Sequence, residues 1–122
     1  MQRIIEINTD IAYPMHVIQL PGTFFEGDDN GVCLWINVKS YGMPYHMTGT
    51  SKGYIIRADG VTNITTGVED DTTSVQLPLT ASDLSVCGPV QITVKLETAG
   101  GYVTTIACCR CYVHRTVTPT TA

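Results

Sequence analysis

Gly53-Tyr-Ile-Ile-Arg-Ala-Asp-Gly60 is the stretch that decides the fold. Tyr54, Ile55 and Ile56 supply the aromatic and β-branched content of a strand, and Asp59-Gly60 ends it. Asp-Gly is among the strongest short-range hairpin signals, because a type I′ turn needs φ > 0 at both central residues. The returning strand, Val61-Thr-Asn-Ile-Thr-Thr66, follows at once.

Working outward, strand signals recur every ten residues or so. Thr73–Leu79 alternates, with Val75, Leu77 and Leu79 on one face, and Pro89–Glu97 does the same with Val90, Ile92, Val94 and Leu96. Gly100-Gly101 reads as a second hairpin turn leading into Tyr102–Arg115. Upstream, Val32–Lys39 sets Val32, Leu34, Ile36 and Val38 against Cys33, Trp35, Asn37 and Lys39. Gln2–Asn8 reads as a first strand carrying Ile4, Ile5 and Ile7, and Met15–Leu20 as a short second one. Tyr13-Pro14, Pro21-Gly22, the acidic Glu26–Gly31 stretch, Gly42-Met-Pro44 and the acidic Gly67–Asp71 stretch read as breaks or turns. Thr80-Ala-Ser-Asp-Leu84 is the one plausible helical turn, with Thr80 or Ser82 as its cap. The pattern predicts an all-β chain: an immunoglobulin-like antiparallel β-sandwich of about seven to nine short strands. One domain is expected over residues 1–115, with residues 1–14 as an N-terminal strand or arm and Thr116–Ala122 as a flexible tail.

The composition suits that reading. A chain of 122 residues holds one domain, its 43% hydrophobic content argues against disorder, and charged residues make up only 15%. The net charge of −4, with Arg57, Lys95, Arg110 and Arg115 in separate segments, gives no basic stripe and no expectation of nucleic acid. No run reaches the ~18 apolar residues of a membrane span. Met1-Gln-Arg-Ile-Ile-Glu-Ile7 carries an acid inside its short apolar run, unlike a secretory leader, so a cytoplasmic site of synthesis is expected. Five cysteines, three of them within Cys108–Cys111, do not form a secreted disulfide framework; reduced, partly buried thiols are expected.

Catalytic and metal patterns are weak. Cys108 and Cys111 have C-x₂-C zinc spacing, but in a straight strand an odd separation sends them to opposite faces, so packed thiols are the better reading. His16, His46 and His114 lie in no recognisable nucleophile signature. The acidic runs Glu26/Asp28/Asp29/Asn30 and Glu69/Asp70/Asp71 lack the spacing of a calcium loop. Asn63-Ile-Thr65 matches a glycosylation sequon, which carries little weight without a leader. No cofactor and no enzymatic activity are expected. Aromatic residues, enriched at interfaces, favour binding or assembly instead. The interface candidates are Ile4, Ile5 and Ile7 on the first strand, with Trp35, Tyr41 and Tyr45.

Lys52–Gly60, Ser74-Val-Gln-Leu-Pro78, Cys87-Gly-Pro-Val-Gln-Ile92, Lys95-Leu96 and Tyr102-Val-Thr-Thr-Ile106 together resemble small virion proteins of tailed bacteriophages. The family is that of the amino-terminal domain of the phage baseplate upper protein, with similar domains in head-fibre and receptor-binding-protein assemblies. The resemblance covers residues 48–115 and is loose before them. It implies a β-sandwich without catalysis that docks an appendage onto the particle, usually within a trimer. Relatives commonly continue into a distal fibre, whereas this sequence reads Thr118-Pro-Thr-Thr-Ala122 after its last strand. Head-fibre or capsid decoration is therefore expected ahead of a baseplate or tail-tip adaptor. Other virion proteins, and further copies of the chain in a threefold assembly, are the implied partners, with the virion as location. Gln2–Asn8 is the segment expected to pair with a neighbour by strand addition.

Two rivals remain: a carbohydrate- or host-surface-binding sandwich using Trp35, Tyr41 and Tyr45, and a metal- or thiol-dependent enzyme built on Cys108–Cys111 and a histidine.

Overall fold

A computed structural model describes residues 3–26, 32–71, 73–98 and 100–115, with backbone alone for 69–71. Among these residues there are eleven strands and no helix. The strands are β1 (Arg3–Asp10), β2 (Ile18–Gln19), β3 (Phe24–Phe25), β4 (Val32–Ser40), β5 (Met43–Pro44), β6 (Thr50–Ile56), β7 (Thr62–Thr66), β8 (Val68–Asp71), β9 (Ser74–Pro78), β10 (Gly88–Glu97) and β11 (Val103–His114). They form two sheets, β1-β4-β9-β8 with β5 on β4, and β2-β11-β10-β6-β7 with β3 on β11. The all-β sandwich expected from the pattern is what the chain forms.

Its core is the set of inward rows. Ile5, Ile7, Leu34, Ile36, Val38, Val75 and Leu77 of the first sheet meet Ile55, Val90, Ile92, Val94, Leu96, Ile106 and Val113 of the second, with Phe24, Met47 and Leu84 filling the ends. Fully burying each large aliphatic or aromatic side chain stabilises by about 1.5–3 kcal/mol. A bulge at Val94/Lys95 pairs Val94 with Ala107 and Lys95 with Thr105. Ile106 is the extra residue, and both Ile106 and Ala107 are buried.

Several local expectations are corrected. The sandwich is mixed: β1 runs parallel to β4 from Arg3↔Val32 to Asp10↔Lys39, and β2 and β3 run parallel to β11. Between β1 and β4 the chain crosses to the second sheet and back, and such a crossover returns a strand parallel. Only Ile18–Gln19 of Met15–Leu20 is a strand, bounded by Pro14 and by Pro21-Gly22. The acidic Gly67–Asp71 stretch is not a turn. β7 and β8 form one nearly continuous run that changes sheets at Gly67, whose N–H donates to the Ser51 carbonyl at 2.8 Å. A Cβ on Gly67 would come within 2.6 Å of Val75 Cγ1, so the corner needs a residue without one.

The Asp59-Gly60 hairpin forms, but not as type I′. Gly60 has φ 85° whereas Asp59 is not at positive φ. The Gly60 N–H donates to the Arg57 carbonyl at 3.0 Å, and the Arg57 N–H to the Val61 carbonyl at 2.9 Å. This is a type I turn closed by a left-handed glycine. Asp59 is held there because its carboxylate accepts from the Val61 N–H and from the Arg57 guanidinium. The turn with two positive φ values lies at Tyr41 (51°) and Gly42 (76°), joining β4 to β5. Thr80–Ser85 is the expected short turn, with successive i→i+3 bonds from Asp83, Leu84 and Ser85 and with Thr80 as its cap. The Asp83 carboxylate accepts from the Thr80 N–H at 2.8 Å, and the Thr80 hydroxyl accepts from the Asp83 N–H at 3.3 Å, a reciprocal cap.

Candidate interaction surfaces

The outward face of the first sheet is built from three rows set by strand register. Ile4, Cys33 and Pro78 lie side by side, then Glu6, Trp35, Gln76 and Val68, then Asn8, Asn37 and Ser74. Ile4 is 50% exposed and Val68 60%. Trp35 is half-buried, its side chain within hydrogen-bonding reach of the Cys33 thiol. Burial raises that thiol's pKa, and the Trp35 contact only partly opposes the rise. The last row is a hydrogen-bonded rim: Asn37 Nδ2 donates to Glu6 Oε1 at 3.0 Å and Asn8 Oδ1 at 3.2 Å, and the Ser74 hydroxyl donates to Asn37 Oδ1 at 2.7 Å. Trp35 thus lies between Glu6 and Gln76, with Ile4, Pro78 and Val68 as the exposed apolar residues around it.

The interface candidates separate accordingly. Ile4 and Trp35 come together on this face. Ile5 and Ile7 point the other way and belong to the core at 5% and 3% exposure, so neither reaches a partner. The i, i+2 spacing of a strand puts Ile5 and Ile7 on one face and Ile4 on the other, a distinction present in the alternation itself. Tyr45 packs against the core from β5's flank. Tyr41 sits at the far end of β4, 74% exposed, with its ring edge-on to Tyr13 at 5.9 Å. From Arg3 to Asp10, β1 pairs with β4 along one edge, and among the described residues no strand pairs with its other edge. At the start of β1 the Arg3 guanidinium donates to the carbonyls of Thr23 (3.1 Å) and Pro21 (3.2 Å).

Asp10 organises the Tyr13–Tyr41 corner. Its Oδ1 accepts from the N–H groups of Ala12 (3.0 Å) and Tyr41 (3.0 Å), and its Oδ2 from Gly42 (2.7 Å). Desolvation pushes the Asp10 pKa up, but these three N–H groups and the Lys39 charge outweigh it and hold the pKa below its ordinary value. A left-handed non-glycine residue costs about 1–2 kcal/mol, and the Asp10 bonds offset that cost at Tyr41. Neither Asp10 nor Tyr13 is among the interface candidates expected from the sequence; Asp10 sits at the C-terminal end of a strand and carries no local signature.

A second polar cluster ties the Arg57 turn to the Thr80–Ser85 turn. Arg57 holds Asp59 through two bonds and also donates to the Ser85 hydroxyl at 3.1 Å. Asn63 Nδ2 donates to Asp83 Oδ1 at 2.8 Å, and Asp83 is fully buried. The sequon asparagine is therefore a structural ligand of Asp83. On β11, Cys109 and Cys111 face the core while Cys108 faces out, splitting the C-x₂-C pair across the sheet. Burial drives the Cys109 thiol up to about 12, with Cys108 and Cys111 adding to it, and Cys111 up to about 11. Of the acidic runs, Asp28, Asp29 and Asn30 lie outside the described residues, as do the side chains of Glu69, Asp70 and Asp71 and the tail from Thr116.

No protein-family model matches the chain, and no curated protein does. Among solved structures it is similar to the N-terminal domain of phage TP901-1 ORF48, with a TM-score of 0.66 and 11% sequence identity. The match covers 93% of this chain and 99% of that one. At this identity the likeness establishes a shared fold over nearly the whole of both chains.

Proposed function

We propose that this chain is a non-catalytic structural module of a tailed-phage virion, which docks onto other virion proteins through the outward face of its first sheet. The observation that carries the reading is the nearly complete two-way overlap with a phage protein's N-terminal domain. The motifs of residues 48–115 led independently to a phage virion family. The docking face is centred on Trp35, with Ile4, Pro78 and Val68 as apolar contacts and the Glu6–Asn37–Ser74 network as border. In this role the domain anchors an appendage or decorates the head within a threefold assembly, assembled in the host cytoplasm and carried on the virion. A place at the baseplate or tail tip is the alternative.

Gold-labelled antibody on intact particles, together with the mass of the purified chain in solution, tests the proposal. Label at one defined position and a trimeric mass are expected. Ile4→Glu and Trp35→Ala variants should keep their melting temperature within a few degrees and lose particle association. A monomer that never co-sediments with particles would overturn the reading.

A further inference from the structure

We propose that the open edge of β7 is a self-association site, where β7 pairs antiparallel with β7 of a second copy of this chain, in register about Ile64. The contact is twofold. It does not rest on the virion role, and it adds to the threefold assembly proposed above without replacing it.

β7 ends the second sheet, and among the described residues no strand pairs with its outer edge. Its ladder with β6 fixes which backbone groups face outward. The Arg57 N–H donates to the Val61 carbonyl and the Gly67 N–H to the Ser51 carbonyl, so the positions bonded to β6 are the odd-numbered ones. The N–H and C=O groups of Thr62, Ile64 and Thr66 therefore point away from β6, as a template for one more strand. Their side chains lie on the outward face of the sheet, and all three residues are exposed, Ile64 at 60%.

The other edges carry guards against such pairing, and β7 does not. β8 has the acidic sequence Glu69-Asp70-Asp71 and a bulge, β1 sets Glu6 in the middle of its outward row, and β2 and β3 are two residues long. β7 has no charged residue, no proline and no bulge in its register with β6. Its sequence, Thr62-Asn-Ile-Thr-Thr66, is rich in β-branched residues suited to a strand.

The occupant follows from the pattern on the exposed row, which reads threonine, isoleucine, threonine in either direction. Antiparallel pairing about Ile64 sets Ile64 against Ile64 of the second copy, and each Thr62 against the other copy's Thr66. Each of these is a bonded pair that exchanges two backbone hydrogen bonds. The outward face gains an apolar pair flanked by threonine pairs, and Tyr54, the cross-strand neighbour of Ile64, extends the apolar strip on each side. Five residues of edge bury less than the ~1,200 Å² of a stable complex, so the pair is weak between free chains and stronger where copies are held close together.

The test is the mass of the full chain by sedimentation equilibrium at about 0.5 mM, beside Ile64→Lys and Thr62→Lys. Both substitutions put the charge of a guarded edge on an exposed position and should leave the melting temperature within a few degrees. The unaltered chain should have twice the mass of either variant, whether the smaller species is one chain or three. Amide hydrogen exchange gives a second readout. Thr62, Ile64 and Thr66 should be protected in the unaltered chain and exchange as a free edge in Ile64→Lys, while Asn63 and Thr65, bonded to β6, stay protected in both. Equal masses for the unaltered chain and the variants overturn the proposal, as does association that protects Ile4, Glu6 and Asn8 of β1 instead.

Discussion

Gly53 of β6 lies directly under the Leu77 side chain of β9, so closely that a Cβ on Gly53 would come within 2.6 Å of Leu77 Cδ2 and 2.7 Å of Cδ1. The two residues belong to opposite sheets, and both are buried. Gly53 is not at positive φ, so the requirement for glycine is a matter of space between the sheets.

Gly53→Ala should therefore destabilise by overpacking, by about 1–3 kcal/mol. Leu77→Ala alone leaves a cavity and should cost about 2–5 kcal/mol. In the double variant the new methyl group enters the space left by Leu77, so the loss should be clearly smaller than the two single losses added together. Urea unfolding of the four proteins measures this, and strict additivity would contradict the contact.

The Asn63–Asp83 bond makes a second prediction. Asn63→Ala removes a donor from a fully buried carboxylate, which should cost about 1–3 kcal/mol. Asn63→Asp should be worse, since it sets a second carboxylate against Asp83. Thermal melts at neutral pH check the order.

Acid should weaken the fold through Asp10 and Asp59. The Arg57 guanidinium holds Asp59 below its ordinary carboxylate range, and the backbone donors do the same for Asp10. Both pKa values are lower folded than unfolded, so their contribution is present above the unfolded value of about 3.9 and disappears as pH falls through the folded values. The melting temperature should drop below about pH 4, and Asp10→Asn and Asp59→Asn should each flatten that drop.

Thiol chemistry should follow the faces of the strands. Cys33, Cys109 and Cys111 are buried, so a thiol reagent on the native protein should modify Cys87 and Cys108 first. Cys109 and Cys111 have raised pKa values of about 12 and about 11, so the stability linked to them is complete below the unfolded thiol value. It is lost as pH rises towards the folded ones. Urea midpoints should fall between about pH 9 and 11, and Cys109→Ala or Cys109→Val should reduce the dependence on pH.

Period-two alternation was enough to assign the inward rows on β4, β9 and β10, because each of these strands has one face on the core and the other outward. The same alternation separates Cys108 from Cys111. It did not reveal the parallel pairing of β1 with β4, since parallel and antiparallel ladders bury the same alternate residues. Nor did it show that β7 and β8 are one strand bent at Gly67, where an acidic stretch looks like a turn unless its neighbours are known.

The turns show the same division. Asp59-Gly60 alone called for a reversal of the chain, and a reversal occurs there. The type of turn was decided by Arg57, which holds the Asp59 carboxylate and, through Ser85, ties the hairpin to a distant turn. Tyr41 is an unpromising left-handed residue until Asp10, remote in sequence, supplies acceptors for its N–H and that of Gly42. By itself the sequence determined an all-β chain, the positions of most strands and which residues face inward, because these depend on local spacing. Only the tertiary structure decided the strand pairing, the outward rows around Trp35 and the Tyr41 turn held by Asp10, because each is assembled from segments that meet only after folding.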